Sequence, residues 1–137
     1  MPEMTAEELA AFLRRPLVAG LTTLRPDGSP HTTPVWHEYD GSSFRCIMGD
    51  QSVKARNVRR DHRVSLCIAT HQEPYAYVLM DGTAELSDIG VDELAHSLSV
   101  RYVGAERGPA YADKLLADRA MTALIVTPTR VLTESDA

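Results

Sequence analysis

Apolar residues recur along the chain at two periods, and the switches between them mark the elements. Leu9, Phe12 and Leu13 keep helical spacing behind Thr5-Ala-Glu-Glu8. That tetrapeptide has the form of a capping box, a hydroxyl at the N-cap and a glutamate three residues on. A helix is predicted there, ending before Pro16. Residues 17–25 are apolar and β-branched enough for a strand, Arg25-Pro-Asp-Gly-Ser29 is a turn, and residues 29–39 are the return strand. Asp40-Gly41 is a type I′ hairpin signal leading to a third strand over 43–48. The first half thus reads as a three-stranded antiparallel meander.

The second half follows the same logic. Val53–Arg60 reads as a short helix, with Asp50 and Ser52 as candidate N-caps. Residues 63–70 alternate, with Val64, Leu66 and Ile68 on one face. Residues 75–86 form a long strand in which Gly82 marks a bulge or barrel bend. Val91, Leu94, Ala95, Leu98 and Tyr102 return to helical spacing, with Gly104 at the C-terminal end. Pro109 opens another short helix carrying Tyr111, Leu115 and Leu116. The last strand covers 122–127 and 129–133, broken at Pro128. Six strands in hairpins with flanking helices predict a mainly β fold, a closed antiparallel barrel. Closure removes the sheet edges, and a β-sandwich is the alternative.

Composition narrows the class. One domain over residues 1–137 is expected, long enough for a real core. Hydrophobic residues at 44% and charged residues at 24% are an ordinary globular mix. No apolar run approaches the ~20 residues that cross a bilayer, and the acidic N-terminus lacks the apolar core of a signal peptide. A cytoplasmic protein with no membrane partner is expected. Cys46 and Cys67 each lie in an apolar strand-like run without a Cys-x-x-Cys spacing, and two buried free thiols are expected.

Charge singles out one stretch. Lys54, Arg56, Arg59, Arg60 and Arg63 are five of the fourteen Lys and Arg, on a chain of net charge −5. A basic cluster on an acidic protein points to a local anion site and away from nucleic acid. A helix N-terminus offers free N–H groups and a partial positive charge, which seat phosphate. Lys54 in the first turn opposes that dipole, and an anionic ligand accounts for it. The competing reading is a solvated amphipathic helix with Val53, Ala55 and Val58 inward. His31 and His37, six apart and so on one strand face, have no partner at metal-ligand spacing, and no metal site is expected. Hydrolase, metalloprotease and Walker motifs are absent from the sequence.

The order of these motifs carries a resemblance. Leu21-Thr-Thr-Leu-Arg-Pro-Asp-Gly-Ser-Pro-His-Thr-Thr-Pro-Val-Trp36, followed by Ser52-x-Lys54-x-x-Asn57-x-x-x-Asp61-x-Arg63, resembles the pyridoxamine-phosphate-oxidase-like split-barrel flavoproteins. Within them it is most similar to the branch using the deazaflavin coenzyme F420. The resemblance spans about residues 9–131, with 90–118 the least family-like part. It implies a six-stranded split barrel, a homodimer and cofactor sites at the subunit interface. It also implies that Ser52 and Lys54 hold the phosphate after the ribityl chain, assisted by Arg56 reaching the tail and Asn57 fixing the helix. Thr32, Thr33, Pro34, Val35 and Trp36 would run along the ring, with Met48, Gly49 and Asp50 near its other side. Pro34 removes a backbone donor and Trp36 offers an aromatic wall. The plain alternative makes Pro34 an edge-strand residue and Trp36 core.

The expected activity is hydride transfer from reduced F420 to a conjugated small-molecule acceptor, the chemistry being the cofactor's. Catalytic side chains are not identifiable, Tyr77, His71 or water being candidate proton sources. FMN on the same fold is the alternative, and a non-catalytic carrier of either cofactor a third reading. F420 adds an anionic lactyl-glutamate tail beyond the phosphate, and the extra arginines at 56, 59 and 60 favour it.

Overall fold

In the computed structural model, which describes residues 1–136, the chain runs α1 (Ala6–Leu13), β1 (Ala19–Leu24), β2 (Pro30–Val35), β3 (Glu38–Tyr39), β4 (Phe44–Gly49), α2 (Val53–Arg60), β5 (Arg63–Ala69), β6 (Ala76–Ser87), α3 (Val91–Val103), α4 (Gly108–Asp118) and β7 (Met121–Ser135). Helix starts follow the caps. Glu8 N–H donates to Thr5 Oγ1 at 3.1 Å and Thr5 N–H to Glu8 Oε1 at 2.9 Å, closing the capping box. Ala55 N–H donates to Ser52 Oγ at 3.2 Å. Ser52 is therefore the cap, while the carboxylate of Asp50 accepts from Arg59. Gly104 ends α3 at φ +112°, a conformation that favours glycine.

The strands form one antiparallel sheet in the order β2-β1-β5-β6-β7-β4-β3. Its two edges, β2 and β3, are consecutive in the chain with only Trp36 and His37 between them. So short a link joins opposite ends of a sheet only if the sheet curls, and it does, into a half-barrel.

The mainly β split barrel stands, but the curled sheet is a half-barrel that keeps two edges, not a closed barrel. It has seven strands rather than six, because the return strand divides at Trp36–His37. There His37 N–H donates to Tyr102 Oη at 3.1 Å, and Tyr102 Oη donates to the Leu17 carbonyl at 2.8 Å. The tyrosine takes over backbone bonds that a continuous ladder would have made. β2 therefore pairs with β1, and β3 with β4, which is not a three-stranded meander. The same break separates His31, on β2, from His37, which is fully buried in the crossover. Conversely, β7 runs unbroken through Pro128, which faces Gly82 where the β6–β7 register shifts. A Cβ on Gly82 would lie 2.5 Å from the Thr127 carbonyl oxygen, so the close approach requires glycine.

Alternate residues of β1 and β5 face inward. They meet Phe12 and Leu13 of α1 and Ala55 and Val58 of α2 in the main core. Val53, turned inward on the competing reading of α2, is exposed. Cys46 is a buried free thiol as expected, whereas Cys67 is exposed because it points to the outer face of β5. A smaller cluster joins Leu94 and Leu98 of α3 to Ala123, against Trp36, Ile47 and Tyr102. Arg101 of α3 donates to the carbonyls of Leu13, Arg14 and Arg15 and so closes the C-terminal end of α1.

Candidate functional site

Edge strand β2, the N-terminal turn of α2 and helix α4 border an open cavity of about 320 Å³. Pro34, Val35 and Trp36 supply one wall, Ile47 and Met121 the floor, Tyr111 and Leu115 the α4 side, and Lys54 a single cation. Trp36 is fixed by its neighbours. Its ring stacks on Tyr102 at 5.0 Å between centroids and 2° between planes, and Tyr111 tilts against it at 5.5 Å. Apolar walls with one charged group are the usual make-up of a small-molecule site. A cleft of about 360 Å³ on the outer sheet face is less suited, because its charges are already satisfied. There Ser65 donates to Asp81 at 2.7 Å, and Arg63 pairs with Asp61.

The basic cluster of α2 divides in the same way. Arg59 pairs with Asp50 and Arg63 with Asp61, whose carboxyl the Arg63 hydrogen bonds hold below its ordinary range. Arg60 donates to the Leu24 carbonyl at 2.6 Å and to Asn57 Oδ1 at 2.9 Å, which ties it to the far end of the helix. Asn57 is buried and donates to Thr23 Oγ1 at 3.0 Å, anchoring α2 on β1. Among the described residues Lys54 and Arg56 make no hydrogen bond or ion pair. Only Lys54 of these two reaches the cavity.

The remaining residues singled out from the sequence scatter around this centre. Thr32 is exposed and shares a 2.8 Å hydrogen bond with Thr22. Thr33 Oγ1 is buried with no hydrogen-bond partner among the described residues. Met48 turns into the core, and its neighbour Ile47 takes the cavity wall. Gly49 and Ser52 line an adjoining cleft. Tyr77 is on β6 and His71 in the following turn of β5, and neither lines the cavity, where Tyr111 and Lys54 are the ionisable groups. Burial pushes the Cys46 thiol up to about 12, so it is no nucleophile. Val18, Ile47, Tyr111, Leu115 and Met121 line the cavity, and Arg119 the adjoining cleft, without having been singled out in the sequence. Each sits in an ordinary apolar or polar pattern, and only the tertiary fold brings it to the site.

Among the described residues no three His, Cys, Asp or Glu gather as a metal site. No described helix is long and apolar enough to cross a membrane.

Comparison with known proteins identifies the fold and the family. No curated protein matches the chain in sequence. An F420 reductase is similar in structure, with a TM-score of 0.76 and 26% identity over 96% of this chain and 98% of the other. A conserved hypothetical protein of Mycobacterium tuberculosis superposes with a TM-score of 0.79 and 26% identity, covering 96% of this chain and 85% of that one. A FAD-binding protein of Mesorhizobium loti shares the fold at 17% identity and a TM-score of 0.70, over 98% and 95% of the two chains. The architecture is thus one on which flavin-type cofactors are bound. The family model for pyridoxamine 5'-phosphate oxidase matches residues 5–134, nearly the whole chain, and the protein belongs to that family.

Proposed function

We propose that the protein is an oxidoreductase that takes reduced coenzyme F420 in the Trp36–Lys54 cavity and reduces a conjugated small-molecule acceptor. One observation carries this reading. Lys54, with no hydrogen bond or ion pair among the described residues, stands in the N-terminal turn of α2 at the edge of an apolar cavity walled by Pro34 and Trp36. That combination fits a planar ring joined to a phosphate.

When bound, the deazaflavin ring supplies the hydride. The chain's own residues bind and orient. Lys54 neutralises the phosphate, and Ser52 holds the helix end that faces it. Trp36, stiffened by Tyr102, gives the ring a flat wall, and Ile47, Leu115 and Met121 keep water from it.

FMN is the second reading, and Arg60 favours it. This arginine, expected near the acidic tail of F420, is instead held by the Leu24 carbonyl. A carrier without turnover is the third. We further assign the protein as a homodimer, in the cytoplasm, whose cofactor site is completed by the partner subunit. Pro34 lines the cavity and also begins an outward row, Pro34–Gly20–Cys67–Leu79–Leu132, that crosses five strands in register. Leu79 and Leu132 in that row are exposed, as a buried subunit interface would require of the isolated chain.

The test is to mix the protein with reduced F420 and a panel of quinones and other conjugated acceptors, following the return of oxidised F420. Turnover supports the proposal. Tight binding without turnover supports the carrier, and binding of FMN alone supports the second reading.

A further inference from the structure

Beside the Trp36–Lys54 cavity lies a second cleft of about 340 Å³, bounded by Gly49, Gln51, Ser52, Arg119 and Ala120. The two adjoin through the β4–β7 ladder. Gly49 is the register partner of Met121, which floors the cavity, and Ser52 precedes Lys54 by two residues. Arg119, at the C-cap of α4, reaches this cleft because residue 49 has no side chain. A Cβ there would lie 3.2 Å from Arg119 Cδ, 3.7 Å from its Nη1 and 3.9 Å from Ser52 Cβ. The guanidinium stem therefore lies across Gly49, next to the capping serine.

Arg119 is also uncompensated. It makes no hydrogen bond or ion pair among the described residues. Of the nearby carboxylates, Asp50 is occupied by Arg59, and Asp118 precedes Arg119 without pairing to it. Lys54 on the cavity side and Arg119 on the cleft side, on either side of Ser52, thus carry no hydrogen bond or ion pair among the described residues. A ligand that ends at a phosphate satisfies the first. A ligand whose chain continues past the phosphate into carboxylates satisfies both.

We infer that Arg119, and not Arg60 of α2, binds the anionic group beyond the phosphate and so selects a cofactor with an acidic tail over one that ends in phosphate. This rests on the reading of the cavity as a flavin-type cofactor site. Arg119 is exposed, and an exposed charge contact is worth little and is screened by salt.

The experiment is fluorescence titration of the full chain with F420 and with FMN, comparing wild type, Arg119→Gln and Arg119→Lys at low and high salt. Arg119→Gln is expected to weaken F420 by about fivefold at low salt and to leave FMN unchanged, a loss that shrinks in high salt. Arg119→Lys is expected to recover most of it. Equal weakening of both cofactors would make Arg119 a phosphate ligand and overturn the inference, as would no weakening of either. If wild type binds neither cofactor, the cavity reading itself falls and takes this inference with it. If wild type binds both and Arg119→Gln changes nothing, only the inference falls.

Discussion

Two buried side chains show how single residues hold the site in place. Asn57, on the buried face of α2, donates its amide to Thr23, and its carbonyl oxygen accepts from Arg60. Truncating it strands a hydroxyl that is fully buried. Asn57→Ala is therefore predicted to cost about 1–3 kcal/mol, read by urea denaturation. A loss below about 0.5 kcal/mol, the size of an ordinary surface change, would contradict the anchoring role.

His37 has both ring nitrogens buried with no hydrogen-bond partner among the described residues. Burial first, and then the charge of Arg101, lower its pKa to about 4 from an ordinary 6.5, against a smaller opposing pull from the Leu17 backbone. The folded imidazole is neutral while the unfolded one takes a proton near 6.5, so the unfolded state binds more protons between the two values. Its contribution to stability is full above about pH 6.5 and declines to a floor near 4. The whole swing is about 3 kcal/mol. His96, whose pKa is raised by the Asp92 carbonyl and Asp113, pulls the other way. The difference between wild type and His37→Leu isolates the effect. Wild type should lose more stability than the variant between pH 7 and pH 5, and parallel pH profiles would refute the assignment.

Elements are where sequence and structure part company. The short helix over Val53–Arg60 was legible to the residue, because Ser52 caps it and its apolar face has period 3.6. The bulge at Gly82 was legible too, as an isolated glycine in a long strand pattern. Gly82→Ala is predicted to destabilise by about 1–3 kcal/mol through overpacking against the Thr127 carbonyl. An unchanged melting temperature would mean that β6 and β7 can separate there at no cost. By contrast, the break at Trp36–His37 left no local trace. It is made by Tyr102, 65 residues away in sequence. Pro128 misled in the opposite sense, since Gly82 and the register shift accommodate it from the partner strand. The site divides likewise. Ser52, Lys54, Pro34 and Trp36 could be picked out by type and position, whereas Ile47, Tyr111 and Arg119 depend on how α4 and β7 fold back.

For the whole molecule, the outward row through Cys67, Leu79 and Leu132 is the surface on which a second copy is proposed to dock. Leu79→Glu places a charge at its centre. It should turn a dimer into a monomer by sedimentation and weaken cofactor binding at the same time, since Pro34 ends the same row. A monomeric wild type that binds cofactor tightly would contradict the shared site. The flavin-type cofactor proposed between Trp36 and Lys54 would have a built-in reporter, because Trp36 is the only tryptophan of the chain. The most direct measurement is Trp36 emission during titration with F420 and with FMN, in wild type and in Lys54→Ala. Saturable quenching in wild type is predicted. In Lys54→Ala the affinity should fall by about 1.5–3 kcal/mol, the range for a hydrogen bond to a charged group. Binding that leaves Trp36 emission untouched, or an affinity indifferent to Lys54, would contradict the account.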